Sequence, residues 1–172
     1  MRRPLLALHR LTRNMSTSSK AEILRTPTRF FDILPSELCL AAVLPTGQSF
    51  RWIKSVPALH TLSNEKDLEM DEEWCFPSRD RLIYLRQDRT RIWYNAAYTP
   101  EKREMYEEDC QKNTTFTWLH RYFSLDVSLA ELYKTWSERD VNFLNKTQGG
   151  RFDGIRVLKQ DPWETLISFV PI

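Results

Sequence analysis

The chain changes its hydrophobic period partway along, and that order of patterns restricts the folds open to it. Its first half carries short extended runs. Leu82-Ile-Tyr-Leu-Arg86 and Arg91-Ile-Trp-Tyr-Asn95 are rich in β-branched and aromatic residues and are joined by Gln87-Asp-Arg-Thr90, which reads as a β-hairpin. Leu38, Leu40, Val43 and Leu44 read as a strand-like run closed by the turn-prone Pro45-Thr-Gly47, after which residues 49–53 resume extended alternation. The second half has helical spacing. Phe116, Leu119 and Phe123 fall at i, i+3 and i+7, and Leu129, Leu132, Tyr133 and Trp136 form a stripe behind a Ser128-x-x-Glu131 capping box. Asp140 is placed to cap a short helix bearing Phe143 and Leu144. These stripes read as core. Strands first and helices later predict an α+β domain.

With 172 residues there is room for one core, or one core and a tail. A hydrophobic content of 41% with six Trp, six Tyr and nine Phe excludes a disordered chain. The net charge of +2 is too small to establish a nucleic-acid partner by itself. No apolar run approaches the roughly 20 residues of a membrane span, so no membrane association is expected. Cys39, Cys75 and Cys110 are odd in number and lack C-x-x-C spacing, which predicts free thiols in a reducing compartment. His9, His60 and His120 lie far apart, and neither a metal nor a cofactor is expected.

The first 25 residues differ from the rest. Arg2, Arg3, Arg10, Arg13 and Lys20 alternate with leucines, Ser16 to Ser19 follow, and no acid occurs before Glu22. Two readings stand: a mitochondrial presequence, or a basic tail without fixed structure; Met15 offers a second start that omits most of it. Residues 63–73 carry Glu65, Asp67, Glu69, Asp71, Glu72 and Glu73 against Lys66, and read as a solvated loop or insertion. Arg79, Arg81, Arg86, Arg89 and Arg91 decorate the hairpin and read as a solvated face offset by Asp80 and Asp88, with phosphate contact as the alternative. Only four glycines occur, Gly47, Gly149, Gly150 and Gly154, so each is expected to serve a backbone purpose. The last segment is a well-capped helix, with Asp161 at the N-cap, Pro162 at the first position and Glu164 completing the box. Trp163, Leu166, Ile167, Phe169 and Val170 follow. Leaving five such side chains in water forfeits about 10 kcal/mol of burial. The helix either folds back on the domain or packs on a partner outside these residues, and the second reading is preferred.

Three segments, in order, resemble the eukaryotic 8-oxoguanine DNA glycosylases. They are SELCLAAVLPTGQSFRW at residues 36–52, YFSLDVSLAELY at residues 122–133 followed by Trp136, and FDGIRVLKQDP at residues 152–162 running on to Ser168 and Phe169. The resemblance covers roughly residues 26–170. It implies a twisted antiparallel sheet flanked by helices, like the TATA-binding protein, followed by a helix-hairpin-helix catalytic domain. The implied division is a basic tail over residues 1–25, the glycosylase N-terminal domain over 26–158, and the start of the helical domain over 159–172.

The implied function is excision of oxidised guanine from double-stranded DNA with β-elimination at the abasic site, in base-excision repair, by a monomer in the nucleus, the mitochondrion or both. In the matching motif the glycine after the Leu-Pro turn presents its backbone carbonyl to the N7–H found only on the oxidised base; here that residue is Gly47. Ordinary guanine would turn a lone pair toward the same acceptor, which leaves it unpaired. The simpler role for Gly47, making the turn, is compatible with this one. The family's catalytic Lys amine and charge-stabilising Asp match nothing in this chain: Lys146, Lys159 and Asp161 fall at none of those positions, so no catalytic residue is assigned. The alternative function is a non-catalytic module that binds DNA or a repair partner.

Overall fold

The computed structural model describes residues 22–55 and 72–168. Most of the basic tail, the acidic stretch up to Asp71, and Phe169 and Val170 lie outside the described residues.

Six strands form one antiparallel sheet. They are β1 (Leu24–Arg25), β2 (Arg29–Asp32), β3 (Ile53–Ser55), β4 (Glu73–Pro77), β5 (Leu82–Gln87) and β6 (Arg91–Tyr98). The order is β1-β6-β5-β4-β3, with β2 also on β6, so β1 and β2 share one long edge partner. The sheet therefore begins at Leu24, inside the segment read as tail. The expected hairpin is β5 and β6, paired from Leu82↔Ala97 to Gln87↔Ile92. Asp88 closes its turn by accepting from the Thr90 and Arg91 amides, each at 2.7 Å, and from the Trp93 indole at 2.8 Å.

Alternation decides the buried face. Trp74, Phe76, Ile83, Leu85, Ile92 and Tyr94 point to one side, where Leu119, Tyr122, Phe123 and Leu158 complete the core. Helix α2 (Arg103–Lys112) follows a 3-10 turn at Pro100–Lys102, and α3 (Thr114–Tyr122) lays its apolar stripe on the sheet. The capping box of α4 (Leu129–Arg139) forms as expected, with Ser128 accepting from the Glu131 amide. Asp140 caps α5 (Val141–Thr147) through the amides of Asn142 and Phe143. The stripe on α4 is only partly core: Leu129 is buried, whereas Trp136 is 41% exposed and packs with Tyr133 against Phe143 of α5.

Two expectations are corrected. The run containing Leu38, Leu40, Val43 and Leu44 is not a strand; Leu40–Val43 is the short helix α1. Its apolar positions also fit i, i+3 and i+4, and a four-residue run cannot choose between periods by itself. The choice is made by Gln87 on β5, whose side chain accepts from the Leu40 amide at 2.7 Å and donates to the Leu38 carbonyl at 2.5 Å. Arg81 does not lie on a solvated face. Its side chain is 11% exposed and its Nη1 donates to the Tyr98, Thr114 and Thr115 hydroxyls at 2.9, 2.9 and 3.1 Å, beside Asp109 at 3.7 Å. Arg86 and Arg91 are paired on the other face, with Glu73 at 3.1 Å and Asp32 at 2.9 Å.

Candidate nucleic-acid interface

Gly47 lies in the turn between α1 and β3, with φ of +80°. A side chain there would meet open space, so the requirement is conformational: an L-residue at this φ costs about 1–2 kcal/mol. Among the described residues no amide donates to its carbonyl. The turn is nevertheless held from both ends. Thr46 Oγ1 donates to the Val43 carbonyl at 2.7 Å. Gln48 Nε2 donates to the Arg156 carbonyl at 2.9 Å, and Gln48 Oε1 accepts from the Leu158 amide at 3.0 Å. The Gln48 carbonyl in turn takes the side-chain amide of Gln160. One glutamine thus pairs with an extended segment more than 100 residues away, as a neighbouring strand would.

That segment is anchored in its own right. Gly154 is buried with φ of +73°; its amide donates to Ser36 and its carbonyl accepts from Cys39. A Cβ at Gly154 would stand 2.1 Å from the Pro35 carbonyl oxygen and 2.5 Å from the Cys39 nitrogen, so only glycine fits without backbone movement. Arg156 is buried and joins three stretches of chain. Its Nη2 pairs with Glu37 at 2.5 Å, and its Nη1 donates to the carbonyls of Ser124 at 3.0 Å and Val127 at 2.8 Å. Glu37 also accepts from the Leu129 and Ala130 amides at 2.7 and 3.0 Å, acting as a remote cap on α4. Burial alone would raise its pKa; these two amides, Arg156 and Ser128 outweigh that and hold it below the usual carboxylate range.

Beyond Gly47 the chain turns inward. Ser49 and Trp52 are buried, and both bond the Tyr122 hydroxyl of α3, Trp52 through its indole at 3.0 Å. Arg51 stacks over Phe76 at 4.5 Å, donates to the Pro77 carbonyl, and pairs with Glu164 at 2.8 Å. Glu164 lies on α6 (Pro162–Ser168), where Asp161 caps as expected by accepting from the Trp163 and Glu164 amides. Trp163 and Leu166 are 65% and 57% exposed, and Phe50 beside the turn is 71% exposed. The arrangement is a rigid acceptor-bearing turn flanked by exposed apolar side chains.

Reading the sequence singled out Gly47 but not Gln48, Glu37, Gly154 or Arg156 as the residues that hold it. Apart from the scarcity of glycine that flagged Gly154, no local signal marks them, because the groups they tie together lie 29 to 119 residues apart and meet only by folding. Of the three groups set aside as lacking a catalytic match, Lys159 and Asp161 come together at one pocket, and Lys146 is exposed on α5, away from it. Among the described residues there is no cluster of His, Cys, Asp or Glu that could hold a metal, and no helix long and apolar enough to cross a membrane.

A family model described as 8-oxoguanine DNA glycosylase, N-terminal domain, matches residues 31–166. The N-glycosylase/DNA lyase of Saccharomyces cerevisiae is 38% identical over 141 residues, which cover 78% of this chain and 31% of the yeast protein. The N-glycosylase/DNA lyase OGG1 of Arabidopsis thaliana is 29% identical over 139 residues, 78% of this chain and 30% of the plant protein. The chain spans about a third of the length of these relatives. The family match contains the Gly47 turn, the Gln48 bridge and the Glu37–Arg156 pair, and the sheet flanked by helices is the fold the three motifs implied. The chain belongs to the 8-oxoguanine DNA glycosylase family, of which these residues are the N-terminal domain.

Proposed function

We propose that this chain is the N-terminal part of a DNA glycosylase with abasic-site lyase activity that removes 8-oxoguanine from double-stranded DNA in base-excision repair. The observation that carries this reading is the Gly47 turn: a left-handed glycine whose carbonyl accepts from no amide among the described residues, locked by Gln48 onto the 156–160 segment. A fixed acceptor selects a base that offers a donor, because the wrong base leaves the acceptor desolvated and unpaired. The N7–H of 8-oxoguanine is such a donor. The domain's part in the reaction is recognition. The attacking Lys and the Asp that stabilises positive charge match no residue of this chain, and the relatives are about three times as long as the matched stretch. We assign those groups to the remainder of the protein, with residues 159–172 as the lead-in to it. The working enzyme is proposed to be a monomer, in the nucleus, the mitochondrion or both according to which start codon is used.

The test compares two proteins on duplexes carrying 8-oxoguanine or guanine opposite cytosine. The product of the full transcript should excise 8-oxoguanine, and Gly47→Ala should narrow its preference over guanine. The 172-residue chain should leave both duplexes intact and bind them with non-specific affinity, on the order of 10⁻⁴–10⁻⁶ M. A full-length product that does not cut the lesion strand would overturn the reading. Excision by the chain alone would overturn the assignment of the catalytic groups elsewhere. Tagged forms starting at Met1 and Met15 should differ in compartment; identical distributions would remove the presequence.

A further inference from the structure

A pocket of about 260 Å³ opens beside the recognition turn without including it. Its rim carries Arg79 from the β4–β5 turn and Lys159 from the segment that Gln48 and Gln160 tie to the Gly47 turn. Its wall is Trp118 of α3, stacked on Tyr122 with ring centroids 4.6 Å apart, facing the exposed Trp163 of α6.

The charges around it are unevenly committed. Arg51 is spent on Glu164 and the Pro77 carbonyl, and Asp161 is spent on the amides at the start of α6. The Lys159 backbone is fixed, its amide donating to the Tyr122 carbonyl at 2.8 Å, yet its ammonium forms no ion pair or hydrogen bond among the described residues. The same holds for the Arg79 guanidinium. Two uncommitted cations on separate elements, facing a pocket whose carboxylates are already engaged, Glu164 Oε2 by Arg51 and Asp161 by the α6 amides, call for an anion. The indole walls call for a flat ring beside it.

Building on the DNA-repair reading, we propose that this pocket seats one deoxynucleotide unit of a DNA strand, its phosphate between Arg79 and Lys159 and its base against Trp163 and Trp118. Stacking of a base on an aromatic side chain tolerates any sequence, and Arg and Lys hold phosphate by charge-assisted hydrogen bonds. The volume admits one unit rather than a run of them. This contact would be sequence-independent and would orient the strand relative to the turn that inspects the lesion.

The chain itself is the test object, with the indole N–H signals of Trp118 and Trp163 followed by NMR and assigned with Trp→Phe variants. Titration with dGMP should move both signals saturably, and deoxyguanosine at the same concentration should not. Arg79→Gln/Lys159→Gln should weaken dGMP by about tenfold or more, the scale of lost charged hydrogen bonds. Lys146→Gln, an exposed cation elsewhere, should leave it unchanged. Both substituted side chains are exposed and form no hydrogen bond or ion pair among the described residues, so an unchanged thermal transition verifies the fold. On duplex DNA the double variant should lower the slope of log K against log salt by about 0.9, one phosphate. Absence of a saturable dGMP shift, or a shift the double variant retains, overturns the proposal. A dGMP effect with an unchanged duplex slope supports the nucleotide seat and assigns it to free nucleotide, overturning the strand. Lesion preference reads the Gly47 turn alone, so its failure would leave these outcomes separately legible.

Discussion

At the scale of single residues, two glycines with similar φ serve different ends. Gly47 stands in open space, so Gly47→Ala should cost only the left-handed strain, about 1–2 kcal/mol, and leave the fold intact in urea denaturation. Gly154 is pressed between the Pro35 carbonyl and the Cys39 nitrogen, and an added Cβ has backbone on both sides with nowhere to go. Gly154→Ala should cost about 3 kcal/mol or more, the same left-handed strain plus overpacking, and should lower the urea midpoint well below that of Gly47→Ala. Equal effects at the two sites would show that Pro35 and Cys39 move aside. Arg156 illustrates the cost of an orphaned charge. Arg156→Met leaves Glu37 without its ion pair and removes the donor serving three carbonyls, those of Glu37, Ser124 and Val127, which should cost about 3 kcal/mol, toward the low end for a buried pair because Glu37 is partly exposed.

At the scale of elements, helix α4 carries two caps, one local and one from far away. Ser128 accepts from Glu131, while Glu37 takes the Leu129 and Ala130 amides. An isolated Ser N-cap is worth about 1 kcal/mol. Ser128→Ala should therefore cost less than that here, since the remote carboxylate still satisfies two of the free N–H groups, and Glu37→Gln should cost more; thermal denaturation of the two variants distinguishes them. The capping signal of Ser128 and Glu131 is four residues wide and legible without a structure. Glu37 is not, because nothing in the residues near it specifies that α4 will arrive there. Helix α1 makes the same point in reverse: Leu38 to Leu44 suit either period, and Gln87 from the sheet settles it.

At the scale of the whole molecule, the buried network around Asp109 joins the sheet to α2 and α3. Asp109 accepts from the Thr115 amide at 2.7 Å and from the hydroxyls of Thr115, Tyr98 and Thr114. Burial would raise its pKa, but these donors prevail and lower it, as they do for Glu37 and Asp88 with their own donors. Carboxylates with depressed folded pKa values stabilise the fold fully above their unfolded values, and that contribution disappears as the pH falls through the folded ones. Stability should hence decline below about pH 4, the unfolded range. Tyr98 acts oppositely. Burial, then its bond to Asp109, pushes it up to about 12. Its stabilising contribution is complete below the unfolded value near 10 and is lost as the pH rises toward about 12. Urea midpoints across pH should form a plateau with both flanks, and Asp109→Asn should flatten the acid side while lowering the plateau. The sequence by itself determined the α+β class, the hairpin, the helix caps and the glycine of the turn at residue 47, because period, capping and left-handed turns are set by residues a few positions apart. Only the tertiary structure decided that Arg81 is internal, that α1 is helical, and that Gln48, Glu37 and Arg156 hold the turn. Those outcomes depend on which distant donor meets which acceptor once water is excluded, and no local pattern encodes such a meeting.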